Sequence, residues 1–169
     1  MGERSTDNST DKETHWLDES EQRSWRALVM GMTLLTDRLD DDLRRSFDLS
    51  LTEYEILVRL SELDDRRMRM AQIADALAHS RSRVTHTIDR MERAGWVVRS
   101  TTPEDGRGVV ATMTDAGMEL LERAAHVHVT GVRHYLVDLA DASDFAAVGR
   151  VMNAVSDHLV SGHPEMEIR

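Results

Sequence analysis

Residues 70–108 have the sequence MAQIADALAHSRSRVTHTIDRMERAGWVVRSTTPEDGRG. Two short amphipathic segments come first, and a segment rich in β-branched residues and a turn follow them. The apolar residues of the first segment recur at helical spacing, and they are Met70, Ile73, Ala74 and Leu77. Only residues 78–80 separate this segment from the next. Two helices joined by about three residues are typical of a helix-turn-helix.

The second segment, residues 81–95, divides into two faces when each residue advances about 100° around a helix. Val84, Ile88 and Met91 share the apolar side. The opposite side carries hydrogen-bond donors, namely Arg83, His86, Arg90 and Arg93. Ser80 is a suitable N-cap for this helix, and Gly95 is a residue at which a helix commonly ends. Such a face suits a groove lined with phosphates and base edges. The alternative is a solvated, Arg-rich surface helix.

Two β-branched segments follow, at residues 96–102 and 109–113, on either side of a turn that contains Pro103, Gly106 and Gly108. This pattern predicts a hairpin, or wing, over about residues 96–113. Arg107 at the tip is expected to enter a minor groove, and Asp105 to orient it through a charge-assisted bond. The alternative for these two residues is an ordinary exposed turn pair. With the two helices before it, the wing predicts a winged helix-turn-helix that binds DNA.

The net charge of −10 is unevenly distributed along the chain. Residues 66–107 contain nine Arg and five acidic residues, a net charge of +4, so the remainder carries −14. Positive charge is therefore concentrated where DNA would lie. Its phosphate contacts would weaken steeply with salt, and the acidic body would discourage non-specific binding.

The winged motif is predicted over residues 50–113. On either side of it the sequence predicts long helices at 18–47 and 114–160, and residues 1–17 are predicted to be a disordered or partly ordered acidic tail. The apolar residues of the first helix recur every three or four positions: Leu28, Met32, Leu35, Leu39 and Leu43. Ser50 and Glu53 fit a capping box that opens a helix, with Ile56, Leu57, Leu60 and Leu63 directed toward a core. Thr114 is expected to cap a helix to about residue 139, and a last helix spans residues 142–160. A two-fold dimer would bury the terminal apolar seams; a monomeric bundle is the alternative.

The winged motif resembles the multiple-antibiotic-resistance regulator (MarR) family of bacterial transcription factors. The matching segments are residues 70–77, 80–97, 105–108 and 113–117, and the overall resemblance extends from about residue 24 to 159. It implies a mainly α fold with a small β-wing, in which a winged helix-turn-helix is flanked by N- and C-terminal dimerisation helices. Residues 18–169 would then form a single domain.

The resemblance also implies a homodimeric repressor of a pseudo-palindromic operator, released from double-stranded DNA by a small, often phenolic molecule. The residues that it places in the major groove are Arg81, Ser82, Arg83, Thr85 and His86, while Arg107 is the wing arginine. One departure is His86, where the family often has Arg. The helix pattern adds Arg90 and Arg93 as candidate phosphate contacts.

Candidate ligand and metal sites lie outside the winged motif. Aromatic and thioether side chains that could wall a pocket are Trp16, Trp25, Met32 and Tyr54, although each is more often plain core or interface packing. His126 and His134 are about 80° apart on a helix but two turns distant, so a zinc ion would need a ligand from elsewhere. A metal-responsive regulator is therefore an alternative, and no metal or other cofactor is expected.

Other functional classes have less support in the sequence. There is no Gly-rich phosphate loop or distinct catalytic triad spacing, so an enzyme is not expected. A winged helix that binds only proteins remains an alternative. No apolar run is long enough for a membrane span and no signal peptide is present, so a cytoplasmic protein without a membrane partner is expected. The chain has no Cys, which excludes a thiol switch.

Overall fold

The computed structural model of the chain describes residues 14–102 and 105–160, without the side chains of residues 102–107 and 160. In these residues the order of elements is α1 (Glu19–Phe47), α2 (Leu51–Ser61), β1 (Arg67–Arg69), α3 (Met70–Ala76), α4 (Arg81–Arg93), β2 (Val97–Thr102), β3 (Asp105–Met113), α5 (Asp115–Tyr135), a 3₁₀ turn (Val137–Leu139) and α6 (Ala142–Val160). The fold class predicted from the sequence, mainly α with a small β-wing, is confirmed.

The chain divides into two compact units, residues 1–34 and 35–169. The described part of the first unit is a short segment without regular secondary structure, residues 14–18, and the N-terminal half of α1, and its large apolar side chains are exposed. The second unit contains the end of α1 and every later element. The predicted tail at 1–17 lies largely outside the described residues.

A core in the second unit holds the helix-turn-helix together. Its fully buried apolar side chains include residues from the end of α1, from the loop that follows it, from α2 and α3, and from one face of α4: Leu43, Leu49, Ile56, Leu57, Leu60, Ile73, Val84, Ile88 and Met91. Leu63 was expected in this core but is exposed, because α2 ends at Ser61. The buried face of α4 is thus the one that helical spacing predicts.

The predicted wing is the larger part of a three-stranded antiparallel sheet with strand order β1-β3-β2. Val98 pairs with Thr112, and Met68 of β1 pairs with Ala111. Strand β1 was not predicted from the sequence, since its three residues, one apolar side chain between two arginines, are too few to establish an alternating pattern. Pairing of its backbone with β3, rather than any local preference, makes it a strand.

Helix α5 begins in close contact with the base of the wing. The Thr114 hydroxyl accepts a hydrogen bond from the Gly117 N–H at 3.1 Å, as predicted for an N-cap, and the Thr114 N–H donates to the Trp96 carbonyl at 3.0 Å. A Cβ on Gly117 would lie 2.3 Å from that same carbonyl oxygen. Glycine is therefore required for α5 to start so close to β2.

The two last helices differ in how well their bounds were predicted. Helix α5 was expected to continue to about residue 139, but it ends at Tyr135 and a separate 3₁₀ turn follows. The break lies at Leu136, whose φ of −136° is outside the helical range. Helix α6 has the predicted bounds. No helix in the described part of the chain has the length and hydropathy needed to span a bilayer.

Candidate nucleic-acid interface

Helix α4 presents one face of donors to solvent. The residues predicted to read the major groove are all exposed there: Arg81, Ser82, Arg83, Thr85 and His86. Ser80 caps the helix by accepting a hydrogen bond from the Arg83 N–H at 3.3 Å. Among the described residues, the guanidinium groups of Arg81 and Arg83 have no hydrogen bond or ion pair. The N–H groups of both guanidinium groups are available to guanine or phosphate.

The hydroxyl groups of α4 are partly used by the helix itself. Thr85 Oγ1 donates to the Arg81 carbonyl at 2.9 Å, and Ser80 Oγ lies 3.2 Å from Ser82 Oγ. In this arrangement Thr85 offers its methyl group and oxygen lone pairs outward rather than its hydrogen. It therefore suits a thymine methyl or a base amino group better than a phosphate.

The turn before α4 is tightly folded. Ala78 has a φ of +50°, and the N–H of His79 donates to the Ala74 carbonyl at 2.9 Å. Burial lowers the pKa of His79, and the nearby Arg83 lowers it further. The imidazole of His79 is therefore neutral at pH 7 and adds no charge to the face of α4.

Arg90 and Arg93, the two predicted phosphate contacts, are placed differently. Arg93 is exposed, and its Nε donates to the Asp89 carbonyl at 3.2 Å. Arg90 is directed into the protein, where its Nη1 donates to Glu53 Oε2 at 2.9 Å and its Nη2 lies 3.2 Å from Asp48 Oδ2. Helical angles group Arg90 with the outer face, but its long side chain reaches partners on other elements.

A second internal network joins α4 to the wing. Arg99 of β2 donates to Glu92 through its backbone N–H at 2.8 Å and its Nη2 at 2.6 Å, and its Nη1 lies 2.5 Å from Asp89 Oδ1. The hydrogen bonds from the Arg99 side chain, then from its backbone, lower the pKa of Glu92. The only acids of α4 are therefore paired with a cation rather than left to repel phosphate. This role of Arg99 was not predicted from the sequence, because only the contact between strand and helix reveals it.

The backbone of the wing is described except at residues 103 and 104, and its strand register shifts between Thr101 and Thr102. The side chains of Asp105 and Arg107 lie outside the described residues. Their predicted contacts with the minor groove stay predictions.

The four candidate ligand residues divide between the two units. Trp16, Trp25 and Met32 belong to the first unit, where the two Trp side chains are 81% and 57% exposed. Tyr54 belongs to the core of the second unit and is only 7% exposed. Its ring lies 4.5 Å from that of His128, and burial lowers the pKa of that histidine.

His126 and His134, the candidate metal ligands, both line a cavity of about 350 Å³ between α5 and the end of α1. Asp42 lines the same cavity and accepts a hydrogen bond from the Tyr135 hydroxyl at 2.8 Å. Within residues 14–102 and 105–160, no three side chains of His, Asp or Glu are arranged to hold a metal ion.

An exposed basic helix seated on a helix-turn-helix core, beside an antiparallel wing, defines a winged helix-turn-helix protein. A sequence model of the MarR family matches residues 49–109. The HTH-type transcriptional regulator PecS of Dickeya dadantii (strain 3937) is 31% identical over 139 residues, which cover 79% of this chain and 83% of PecS.

Two solved structures of MarR family transcriptional regulators from Streptomyces coelicolor are also similar. Sco3205, crystallised in complex with DNA, is 38% identical with a TM-score of 0.84 over 88% of this chain and 93% of its own. AbsC is 38% identical with a TM-score of 0.81 over 88% and 99%. The chain belongs to the MarR family, and it is a transcriptional regulator rather than an enzyme.

Proposed function

We propose that this protein is a homodimeric, sequence-specific DNA-binding repressor whose recognition element is α4. The observation that carries the proposal is the outward face of α4, where the guanidinium groups of Arg81 and Arg83, at the start of the helix, have no partner among the described residues. Helix-turn-helix proteins contact base edges with the N-terminal residues of this helix. The DNA complex of the similar Sco3205 supports the same use of the fold.

The residues of α4 have distinct expected roles. Arg81 and Arg83 are placed for bidentate contact with guanine, and Arg93, near the C-terminal end, for phosphate. Arg107 is proposed to enter the minor groove and Asp105 to orient it.

The test compares Arg83→Ala with Arg93→Ala on a duplex selected by the wild-type protein and on a scrambled duplex. Arg83→Ala is expected to lose about 1–3 kcal/mol on the selected duplex and little on the scrambled one. Arg93→Ala is expected to weaken both duplexes and to reduce the salt slope by about 1. Equal losses on both duplexes for both variants would reject this assignment of roles.

Exposed apolar side chains support the homodimer. In the second unit they lie along α6: Phe145, Val148, Val151, Met152, Val155 and Leu159. In the first unit they lie along α1: Trp25, Leu28, Val29, Met30, Met32 and Leu34. Exposed apolar surface of this extent marks an interaction site. A two-fold dimer would cover it and separate two copies of α4 by about one helical turn of DNA, or about 10 base pairs.

Sedimentation measures the dimer directly. The wild-type chain is expected to have twice the mass of one chain at micromolar concentration, and Val151→Asp on α6 is expected to shift it toward monomer. Asp141→Asn, an exposed change before that helix, is the control and leaves the mass unchanged. A monomeric wild-type protein that still binds one selected duplex tightly would contradict the dimer.

The proposed regulation is release from DNA when a small aromatic molecule, such as a phenolic acid, binds. The exposed Trp16, Trp25 and Met32 of the first unit are the proposed contacts, on the grounds of their apolar, polarisable side chains, whereas Tyr54 is buried in the core of the second unit. Such a ligand must bind the DNA-incompetent conformation more tightly, since equal affinity for both conformations shifts nothing. Titrating phenolic acids against the complex with the selected duplex tests this, and an unchanged affinity for DNA throughout would reject it for that class.

A further inference from the structure

Arg90 has internal partners in two places that precede the helix-turn-helix: the loop after α1 and the first turn of α2. Its Nη1 donates to Glu53 Oε2 at 2.9 Å, and its Nη2 donates to the backbone carbonyl of Asp48 at 2.5 Å and lies 3.2 Å from the Asp48 carboxylate. Asp48 follows the last residue of α1, and Glu53 lies in the first turn of α2. One guanidinium thus joins α4 to the corner between α1 and α2.

Burial of Glu53 makes it costly for Arg90 to leave this contact for a DNA phosphate. The residue is 1% exposed, and its Oε2 accepts from both the N–H and the hydroxyl of Ser50 at 2.8 Å. A buried carboxylate needs a cation as well as hydrogen bonds, and Arg90 supplies one. If Arg90 turned outward to a phosphate, the Glu53 carboxylate would lose that cation. A phosphate contact by Arg90 is therefore opposed by its partner inside the protein.

Arg93, one turn later, shows what a side chain available to phosphate looks like on the same helix. It is exposed, its Nε alone is bonded, and within the described residues its two terminal amino groups have no partner. The two arginines are close in sequence and equal in charge. They differ in availability to phosphate because Arg90 has carboxylate partners inside the protein, whereas Arg93 has none in the described part of the chain.

We propose that Arg90 is a positioning residue: it holds α4 in the orientation that reads bases by fixing it to Asp48 and Glu53, and it does not contact DNA. This inference rests on the proposed function of α4. It assigns sequence preference to a contact made entirely within the protein. Displacing the α1–α2 corner relative to α4 would change preference without changing the charge presented to DNA.

The test uses the double variant Glu53→Gln with Arg90→Met, because Arg90→Met alone leaves a buried charge that can prevent folding. The introduced glutamine retains an acceptor for Ser50, and the introduced methionine keeps an unbranched side chain in place of the arginine. Affinities for the selected and the scrambled duplex are measured from about 50 to 300 mM salt, a range over which phosphate contacts weaken strongly, with Arg93→Met as the matched control. Circular dichroism establishes that each variant is folded.

The double variant is expected to lose about 2- to 30-fold in affinity for the selected duplex, the range for residues that act without touching the ligand. Its affinity for the scrambled duplex and its salt slope should stay at the wild-type values. The control should weaken both duplexes, with a slope lower by about 1. Arg90→Lys, which keeps a cation beside Glu53 but loses the fork, should retain part of the preference.

Two outcomes would overturn the proposal. Equal losses on both duplexes with a slope lower by about 1 would make Arg90 a phosphate contact. A folded double variant that keeps the wild-type preference and slope would make the contact irrelevant to reading. A wild-type chain that selects no shared motif from a random pool of duplexes would instead overturn the proposed function, and this proposal with it. The behaviour of the wild-type protein therefore separates the two failures.

Discussion

Replacing Arg99 with Met removes the cation that joins β2 of the wing to α4. The side chain makes charge-assisted bonds to two carboxylates, those of Glu92 at 2.6 Å and Asp89 at 2.5 Å. The side chains of Arg99 and Glu92 are 30% and 34% exposed. A hydrogen bond to a charged group contributes about 1.5–3 kcal/mol when it is buried. An exposed ion pair contributes only about 0–1 kcal/mol, because solvent weakens it. The expected loss of unfolding free energy is therefore about 1–2 kcal/mol, between these two ranges.

Thermal unfolding measures this loss as a decrease in Tm of about 2–8 °C for a chain of this size. The matched control is Arg45→Met, which removes an exposed pair with Asp41 at 2.6 Å on α1. Because both side chains of that pair are more than half exposed, the control should change the unfolding free energy by less than about 0.5 kcal/mol. An Arg99→Met variant no less stable than this control would refute the reasoning.

The pH dependence gives the same prediction a second check. Hydrogen bonds from Arg99 lower the pKa of Glu92 in the folded chain, so the stabilisation is present above the unfolded pKa of about 4.3 and is lost as pH falls through the folded value. The stability difference between the wild type and Arg99→Met should be constant from about pH 7 to 5 and should shrink below about pH 4.3. A difference that grows on acidification would contradict this assignment.

Three further changes test other parts of the structure. Gly117→Ala places a Cβ against the Trp96 carbonyl and should cost about 1–3 kcal/mol in chemical denaturation; an unchanged midpoint would show that α5 is not held against the wing. His128→Phe keeps a ring beside Tyr54. Burial lowers the pKa of His128, so on acidification the unfolded chain takes up a proton first and the folded chain loses stability. The variant should lose less stability than the wild type between about pH 7.5 and 5.5, by at most about 1.4 kcal/mol, and an identical pH profile would contradict that cause. Ser50→Ala removes the cap of α2 and should cost about 2 kcal/mol, the upper end for an N-cap, because Glu53 also loses a donor; a loss under about 0.5 kcal/mol would show that the cap is dispensable.

Local patterns were sufficient to predict the helix-turn-helix. Val84, Ile88 and Met91 are buried where the helical angles place them, and the Ser80 cap and the bounds of α6 agree with the structure. Each of these features depends on residues within one or two turns of each other. Periodicity and capping preferences describe that range well.

Contacts between distant residues were the part that the sequence could not supply. Arg90 and its partner Glu53 are 37 positions apart, and a helical angle gives the direction of a side chain but not what it meets. Strand β1 was not predicted for the same reason, since only its pairing with β3 makes it a strand. The role of Arg99 likewise depends on how β2 packs beside α4.

The central claim is that two copies of α4 read a symmetric DNA site, and selection of duplexes from a random pool by the wild-type chain tests it most directly. The recovered duplexes are expected to share a pseudo-palindrome whose half-sites have centres about 10 base pairs apart. Duplexes that share no motif, or one motif without a two-fold partner, would contradict it.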